Sequence, residues 1–151
     1  MNWQTTIYNA FAGINSSEKN ALVRFLLEHS ENGSKRGIEE AIEYAIKSKP
    51  SFGGFILVAR QGKEIVAAIV ANRTGMEGYE PNNIFPFVTQ HRELKQEEEM
   101  LSLLRKAVSM ADGDVALHVK PDNPKMELFK KIGFQNQYLE LRLCKNATAV
   151  A

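Results

Sequence analysis

The chain has 151 residues, of which 44% are hydrophobic and 25% charged, a balance typical of globular proteins that bury a core. Its 19 lysine and arginine residues nearly balance its 18 aspartate and glutamate residues, so no overall field favours nucleic acid or an anionic membrane as a partner. Its single cysteine excludes an internal disulfide and a multi-cysteine metal site.

The longest uninterrupted apolar run, residues 65–71, is far too short to cross a bilayer. The sequence opens without a basic segment followed by an apolar one, so we expect a cytoplasmic protein without a membrane partner. One domain is the default at this length, and we predict that residues 1–145 form it. Residues 146–151 are small and polar and are predicted to be a frayed tail.

Two amphipathic helices are predicted first. Residues 16–30 place apolar side chains on one face, and Asn15 precedes them as an N-cap with Glu18 at the capping-box spacing. Residues 37–47 carry a second apolar stripe, which ends at the breaker "SKPSFGG". The first half of the chain therefore supplies two helices that need a surface to pack against.

Three extended segments follow. "FILVARQ" and "EIVAAIVAN" are joined by Gly62 and Lys63, a hairpin signal, and their nearly continuous apolarity indicates strands covered on both faces. A glycine-rich loop, residues 73–83, leads into "IFPFVTQ". Pro86 lacks an amide hydrogen and therefore marks an edge, a bulge or a splayed position in that strand.

The remaining elements mix helices with strands. Residues 96–110 form a predicted helix, "VALHV" a strand, and "KPDNP" the start of a short helix that ends at Ile132. "QYLELRLC" alternates and is predicted to be a final strand. This order indicates an α/β or α+β layered sheet.

Two local motifs and this element order resemble the GNAT superfamily of acetyl-CoA-dependent N-acetyltransferases. "LHVKPDNPKMELFKKIGF" is similar to the family segment of a strand, an asparagine, a short helix and a terminal lysine, apolar residue, glycine and phenylalanine. "IFPFVTQHREL" with the following helix resembles the central strand and cofactor-binding turn. The first motif also has a local explanation: Asn123 as N-cap, Pro124 at the first helical position and Gly133 as left-handed C-cap.

The resemblance covers about residues 21–143 and implies a fold. That fold is a mixed, mainly antiparallel twisted sheet of about six strands flanked by four helices, with a splay between "IFPFVTQ" and "VALHV". The implied reaction transfers an acetyl group from acetyl-CoA to an amine of a small molecule or peptide. It needs no metal ion and is compatible with a homodimer.

The resemblance also implies site residues. Glu77 and Glu80, in the loop before the central strand, are candidates for the base that deprotonates the amine. Strand amides around Val88 and Thr89 would polarise the thioester carbonyl. The implied cofactor-binding positions lie on that strand, in the turn after it and at the last short helix: Val88, Thr89, Lys95, Gln96, Asn123 and Phe129.

The sequence departs from the family pattern in two places. The turn that holds the pyrophosphate normally carries glycines, which let the backbone approach the phosphates, but here the expected positions fall near Gln96, Glu98 and Met100. Glutamates in the first turn complement the helix dipole, and they repel a phosphate. The second departure is Phe129, which occupies the position of a tyrosine that protonates the leaving thiolate.

These departures keep a second class of function open. The alternative is a GNAT-fold binding or regulatory module whose catalysis is impaired. A third possibility, use of a different acyl carrier, is not separable from the first by sequence. From the glutamates in the turn we expect weakened binding of acetyl-CoA.

Other chemistry-bearing residues have simpler interpretations. The three histidines lack metal-ligand spacing to one another: His29 ends a helix, His91 lies in a turn, and His118 is predicted to be a satisfied histidine on a sheet face. Cys144 has no neighbouring base in the sequence and is predicted to be buried as a small apolar residue.

Overall fold

The computed structural model describes residues 3–31, 33–47, 53–76 and 81–145, and these form five strands and four helices. In chain order the elements are β1 (Gln4–Tyr8), α1 (Ser16–His29), α2 (Lys35–Ile46), β2 (Gly54–Gln61), β3 (Glu64–Arg73), β4 (Asn83–Gln90), α3 (Glu97–Met110), β5 (Val115–Ala116) and α4 (Met126–Ile132). No helix in these ranges is long and apolar enough to cross a membrane.

The strands form one sheet in the order β1-β2-β3-β4-β5. The first four are antiparallel to their neighbours, and β5 runs parallel to β4. The predicted mixed, mainly antiparallel sheet with four helices is therefore confirmed, with five strands in the described ranges where about six were expected. The predicted hairpin at Gly62 joins β2 to β3.

The strand expected at residues 137–144 does not form. This segment carries four large apolar side chains that are 77–94% exposed: Tyr138, Leu139, Leu141 and Leu143. Alternation favours a strand only where a neighbouring strand accepts it, and β5 ends at Ala116. Glu140 of this segment forms an ion pair with His118, which follows β5, at 3.4 Å.

Three further predictions are wrong for the same reason. "VALHV" was expected to be a strand throughout, but β5 contains Val115 and Ala116 alone. His118 therefore lies on an exposed stretch, not on a sheet face, and Cys144 is exposed where burial was expected. The expectations for His118 and Cys144 depended on strand pairing between "VALHV" and residues 137–144, which the structure does not contain.

The sheet is covered on both faces, as the apolar sequences of β2 and β3 predicted. On one face, Leu57, Ile69 and Phe85 join the core formed with α3 and α4. On the other, Ile56 and Val70 join the core formed with α1 and α2. We call these the α3–α4 face and the α1–α2 face.

The central strand β4 contains a bulge at Pro86. Val70 and Asn72 of β3, two residues apart, lie opposite Phe87 and Ile84 of β4, which are three apart. As a result, Phe85 is buried on the α3–α4 face and Phe87 on the α1–α2 face, although a regular strand would place both on one face. Pro86 itself is exposed, in agreement with the predicted irregularity.

The capping box predicted at α1 is confirmed and ties β1 to the helix. The Glu18 amide donates to Asn15 Oδ1 at 2.8 Å, and the Asn15 amide donates to Glu18 Oε1 at 3.5 Å. The second oxygen of Glu18 accepts the hydroxyl proton of Tyr8, the last residue of β1, at 2.7 Å. One glutamate therefore serves both the helix start and the edge of the sheet.

This cap provides a stability test. Asn15→Ala removes the acceptor for the Glu18 amide and is expected to lower the free energy of unfolding by about 1 kcal/mol in urea denaturation. Asn20→Ala, the same substitution at an exposed position inside α1, is the control. Because alanine favours helix interiors, the control should be neutral or slightly stabilising. Equal losses in the two variants would contradict the assigned cap.

Candidate functional site

The candidate site is the opening between β4 and β5. The two strands pair only where Asn83 and Ile84 meet Val115 and Ala116, although β4 continues to Gln90. Beyond Ile84, β4 keeps β3 as its neighbour on one side, and on the other side β5 no longer accompanies it. Because β5 ends at Ala116, the structure shows where this pairing stops, and the splay expected between two longer strands stays a prediction.

Backbone amides of β4 point into this opening. The His91 amide donates to Val66 on β3, at 2.8 Å. Amide directions alternate along a strand, so the amide of Thr89 points to β3 while those of Val88 and Gln90 point into the opening. Of the two residues predicted to polarise a carbonyl, Val88 therefore presents its N–H there and Thr89 does not. The sequence did not predict a role for the Gln90 amide. Which amides of β4 point away from β3 depends on the bulge, and the bulge is visible only in the structure.

The side chain of Thr89 links the end of β4 to the end of α1. It is buried, and its hydroxyl oxygen lies 2.9 Å from the hydroxyl oxygen of Ser30, the C-cap of α1. Val88 packs against the α3–α4 core on the other face. The loop after α1 is thereby attached to the end of β4, at the edge of the opening.

The turn after β4 leads to the start of α3. Gln96 is the N-cap residue and makes no side-chain capping bond to the helix. Its Oε1 accepts the indole N–H of Trp3 at 3.0 Å, a contact across 93 residues for which the sequence carries no signal. Lys95 is exposed. Met100, one of the expected glycine positions, is fully buried in the α3–α4 core.

The acidic first turn of α3 is partly neutralised by α4. Glu97 forms an ion pair with Lys131, and both side chains are more than half exposed. The hydrogen bond and charge of Glu97 raise the pKa of Lys131 above its usual value. Glu98 is exposed. Glu97 and Glu98, two of the three glutamates expected to oppose a phosphate, are therefore solvated, and Glu97 already has a cation.

The segment before α4 differs in detail from its prediction. Asn123 was expected to cap the helix with Pro124 at its first position, but α4 begins at Met126 with Lys125 as its N-cap residue. Asn123 Oδ1 accepts the Lys125 amide at 2.7 Å, a local turn one step before the helix.

The end of α4 agrees with its prediction. Gly133 has a φ of 120°, the left-handed C-cap, and the Phe134 amide donates to Phe129 O at 3.1 Å. Phe129 is 3% exposed and packs edge-on against Phe134, with 6.1 Å between ring centroids. Its ring belongs to the core.

Lys125 has a half-buried side chain next to this segment. Burial lowers the pKa of its ammonium below the usual value, and the carboxylate of Glu31 opposes that shift. Glu31 lies in the loop after α1. Lys125 was not predicted from the sequence, because a lysine beside a helix start is ordinarily solvated.

Two imidazole rings lie in contact at the end of α1, tilted by 36° to one another. The rings of His29 and His91 lie 4.1 Å apart, and these residues and Glu28 offer three ligand atoms within 4.8 Å of one another. However, Nδ1 of His29 and Nδ1 of His91 each accept a backbone amide, from Arg92 and Glu93, at 3.2 Å. The ring protons are therefore assigned to Nε2, where His29 donates to Glu28 at 2.9 Å. A metal-bound imidazole needs the opposite arrangement, so we interpret the pair as neutral rings.

Two site candidates lie outside the described residues. Glu77 and Glu80, the predicted bases, belong to residues 77–80, as does the intervening Tyr79. A shallow cavity of about 340 Å³ lies at the opposite end of β4, lined in part by Arg73, Asn83 and Asp112. It contains none of the predicted site residues, and we do not assign the site to it.

Comparison with known proteins identifies the fold. No protein-family model and no curated protein matches the sequence. Among solved structures, an aminoglycoside N-acetyltransferase in complex with CoA has a TM-score of 0.63 at 9% identity, covering 96% of this chain and 97% of that one. The ribosomal-protein-S18-alanine N-acetyltransferase from Escherichia coli has a TM-score of 0.61 at 10% identity, covering 89% and 80%. A transcriptional regulator from Bacillus halodurans C-125 has a TM-score of 0.65 at 16% identity, covering 93% and 99%.

These likenesses span nearly the whole described chain, and they establish that it has the fold of the GNAT acetyltransferases. The resemblance inferred from the two motifs is confirmed at the level of fold.

The histidine pair predicts a pH dependence of stability. Burial, with the neighbouring His91, lowers the pKa of His29 below its usual value of 6.5. The unfolded chain therefore binds the proton more readily, and this contribution to stability falls as pH drops through about 6.5. Between about pH 7 and pH 5, urea denaturation should show a shallower loss of stability in His29→Gln than in the original chain.

His118→Gln, which changes an exposed histidine, is the control and should leave the slope unchanged. An NMR titration that gives His29 a pKa at or above 6.5 would contradict the interpretation.

Proposed function

We propose that this protein is an N-acetyltransferase that moves an acetyl group from acetyl-CoA to an amine of a small molecule or peptide. The observation that carries the proposal is the opening between β4 and β5, into which the Val88 amide points, on a fold shared with N-acetyltransferases. One of those neighbours is in complex with CoA. The thioester would lie along β4 in this opening.

The proposed reaction is direct attack of the amine on the thioester carbonyl. Its oxygen gains negative charge as the nitrogen bonds to carbon, and a fixed N–H donor such as that of Val88 stabilises this charge. Because the Thr89 amide is directed to β3, the proposal assigns Thr89 a supporting role through its bond to Ser30. Glu77 or Glu80 remains the proposed base for the amine.

The cofactor's phosphates would lie at the start of α3, near Lys95 and Gln96. Free amides at a helix start attract phosphate, whereas the glutamates of the first turn oppose it. Since Glu97 and Glu98 are exposed and Glu97 pairs with Lys131, their opposition to the phosphate is screened by solvent. Asn123 and Phe129 would lie beside the pantetheine arm, Phe129 as part of the supporting core.

Isothermal titration calorimetry with acetyl-CoA tests the proposal directly. We expect a dissociation constant between about 1 µM and 1 mM, the usual range for enzyme substrates. In a second measurement, thiol release from acetyl-CoA is followed in the presence of a panel of primary amines. Absence of both heat and thermal stabilisation at about 1 mM acetyl-CoA would reject the proposal.

The effect of the acidic turn has its own test. Glu98→Gln removes one exposed negative charge near the proposed phosphate site and is expected to raise acetyl-CoA affinity by up to about fivefold, equivalent to about 1 kcal/mol. Calorimetry at low salt measures it. A glycine at Met100 is unsuitable, because that side chain is fully buried in the core.

The matched control is Glu64→Gln, which makes the same change of charge in the exposed hairpin between β2 and β3. It should leave the affinity unchanged. Equal gains in both variants would show that overall charge, not the turn, governs binding.

A further inference from the structure

The largest exposed apolar surface of the described chain follows α4, in residues 137–144, which we call the leucine segment. Its four large apolar side chains are 77–94% exposed: Tyr138, Leu139, Leu141 and Leu143. Of the other large apolar side chains in the described ranges, Phe11 alone is more than half exposed. Single exposed apolar side chains are common on protein surfaces, whereas a contiguous patch of them marks an interaction surface.

The backbone of the leucine segment has no partner of its own. In the described ranges, residues 137–144 belong to no strand and make no backbone–backbone hydrogen bond. The segment is held by ion pairs of its side chains, from Glu140 to His118 and from Arg142 to Glu140. Extended backbone with free N–H and C=O groups is a template for pairing with a second strand.

The order of residues in the leucine segment is complementary to its own reverse. If two copies pair antiparallel with Leu141 opposite Leu141, then Glu140 of each copy lies opposite Arg142 of the other. Leu139 lies opposite Leu143 in the same register. Side chains alternate between the two faces of a strand, so the leucines share one face and the charges the other. Around the axis the four charges alternate in sign, which stabilises the pair.

Other registers lose this complementarity. A two-fold axis at Glu140 or at Arg142 places two like charges directly opposite each other, which is destabilising. An axis between two residues sets leucines against charged residues on the same face. A parallel pair in register brings glutamate next to glutamate and arginine next to arginine. The sequence therefore favours one antiparallel register.

We propose that two copies of this chain associate through the leucine segment, which pairs as antiparallel strands about a two-fold axis at Leu141. Such an interface uses the same surface of both copies and closes as a dimer. It brings the leucines of the two copies into contact and gives the free backbone groups of each segment their partners. The dimer does not depend on the acetyl transfer proposed above.

Sedimentation velocity over a range of protein concentrations measures the association. Because the paired segments are short, we expect a weak dimer, with a dissociation constant between about 1 µM and about 1 mM. Leu141→Ser removes the apolar contact at the axis and should raise that constant by about tenfold. Leu27→Ser changes an exposed leucine of α1 and should leave it unchanged.

Two charge reversals test the pairing of Glu140 with Arg142. Glu140→Arg places arginine opposite arginine, and Arg142→Glu places glutamate opposite glutamate, so each variant alone should dimerise about tenfold more weakly. An equal mixture of the two variants restores opposite charges between unlike copies and should form a mixed dimer with nearly the original affinity. Glu64→Arg, in the exposed hairpin between β2 and β3, is the control and should dimerise as the original chain does.

Disulfide trapping tests the register. Both cysteine variants are made in a Cys144→Ser background and oxidised with diamide. Leu141→Cys sets two thiols directly opposite each other, within reach of a disulfide, and should give a covalent dimer. Leu139→Cys should not, since the two thiols are then four residues apart along the strands, about 13 Å.

Each outcome has a defined meaning. A chain that stays monomeric up to about 1 mM rejects the proposal. A dimer that neither Leu141→Ser nor the charge reversals weaken uses another surface, which also rejects it. Equal trapping of the two cysteine variants rejects the register. Acetyl-CoA binding is measured separately, so none of these results decides the proposed function.

Discussion

The candidate site depends on one constraint, the early separation of β4 from β5. Strand amides and carbonyls require hydrogen-bond partners, and within the described ranges those of β4 beyond Ile84 have a neighbouring strand on one side only. The groups that face the other side need water, a ligand or a non-strand part of the chain as their partner. The bulge at Pro86 decides which amides these are, and it also directs Phe85 and Phe87 into separate cores. Packing and site geometry thus follow from the same irregularity.

Much of the fold was predictable where local physics decides the structure. The capping box at α1, the hairpin at Gly62 and the left-handed Gly133 are short-range features, and each agrees with the structure. The continuous apolarity of β2 and β3 correctly indicated a sheet buried on both faces. Strands whose formation depends on a partner were less predictable: β1 is mostly exposed and was missed, and residues 137–144 alternate without pairing.

For the candidate site, the sequence predicted motifs made of neighbouring residues, but not the contacts between residues that are distant in sequence. The motif around Asn123 and Gly133 located the short helix α4. By contrast, Trp3 meets Gln96 across 93 residues, and His29 accepts the Arg92 amide across 63. Such contacts arise from topology, and a single sequence carries no spacing from which to infer them.

The bulge at Pro86 makes β4 sensitive to its length as well as its composition. A substitution within the strand alters one side chain, whereas loss of a single residue would restore regular alternation and exchange the faces of everything beyond it. Phe87 would turn toward the core that Phe85 occupies, and Thr89 away from Ser30. In a lineage of such proteins, changes in this strand are therefore expected as replacements, with insertions and deletions confined to the loops on either side.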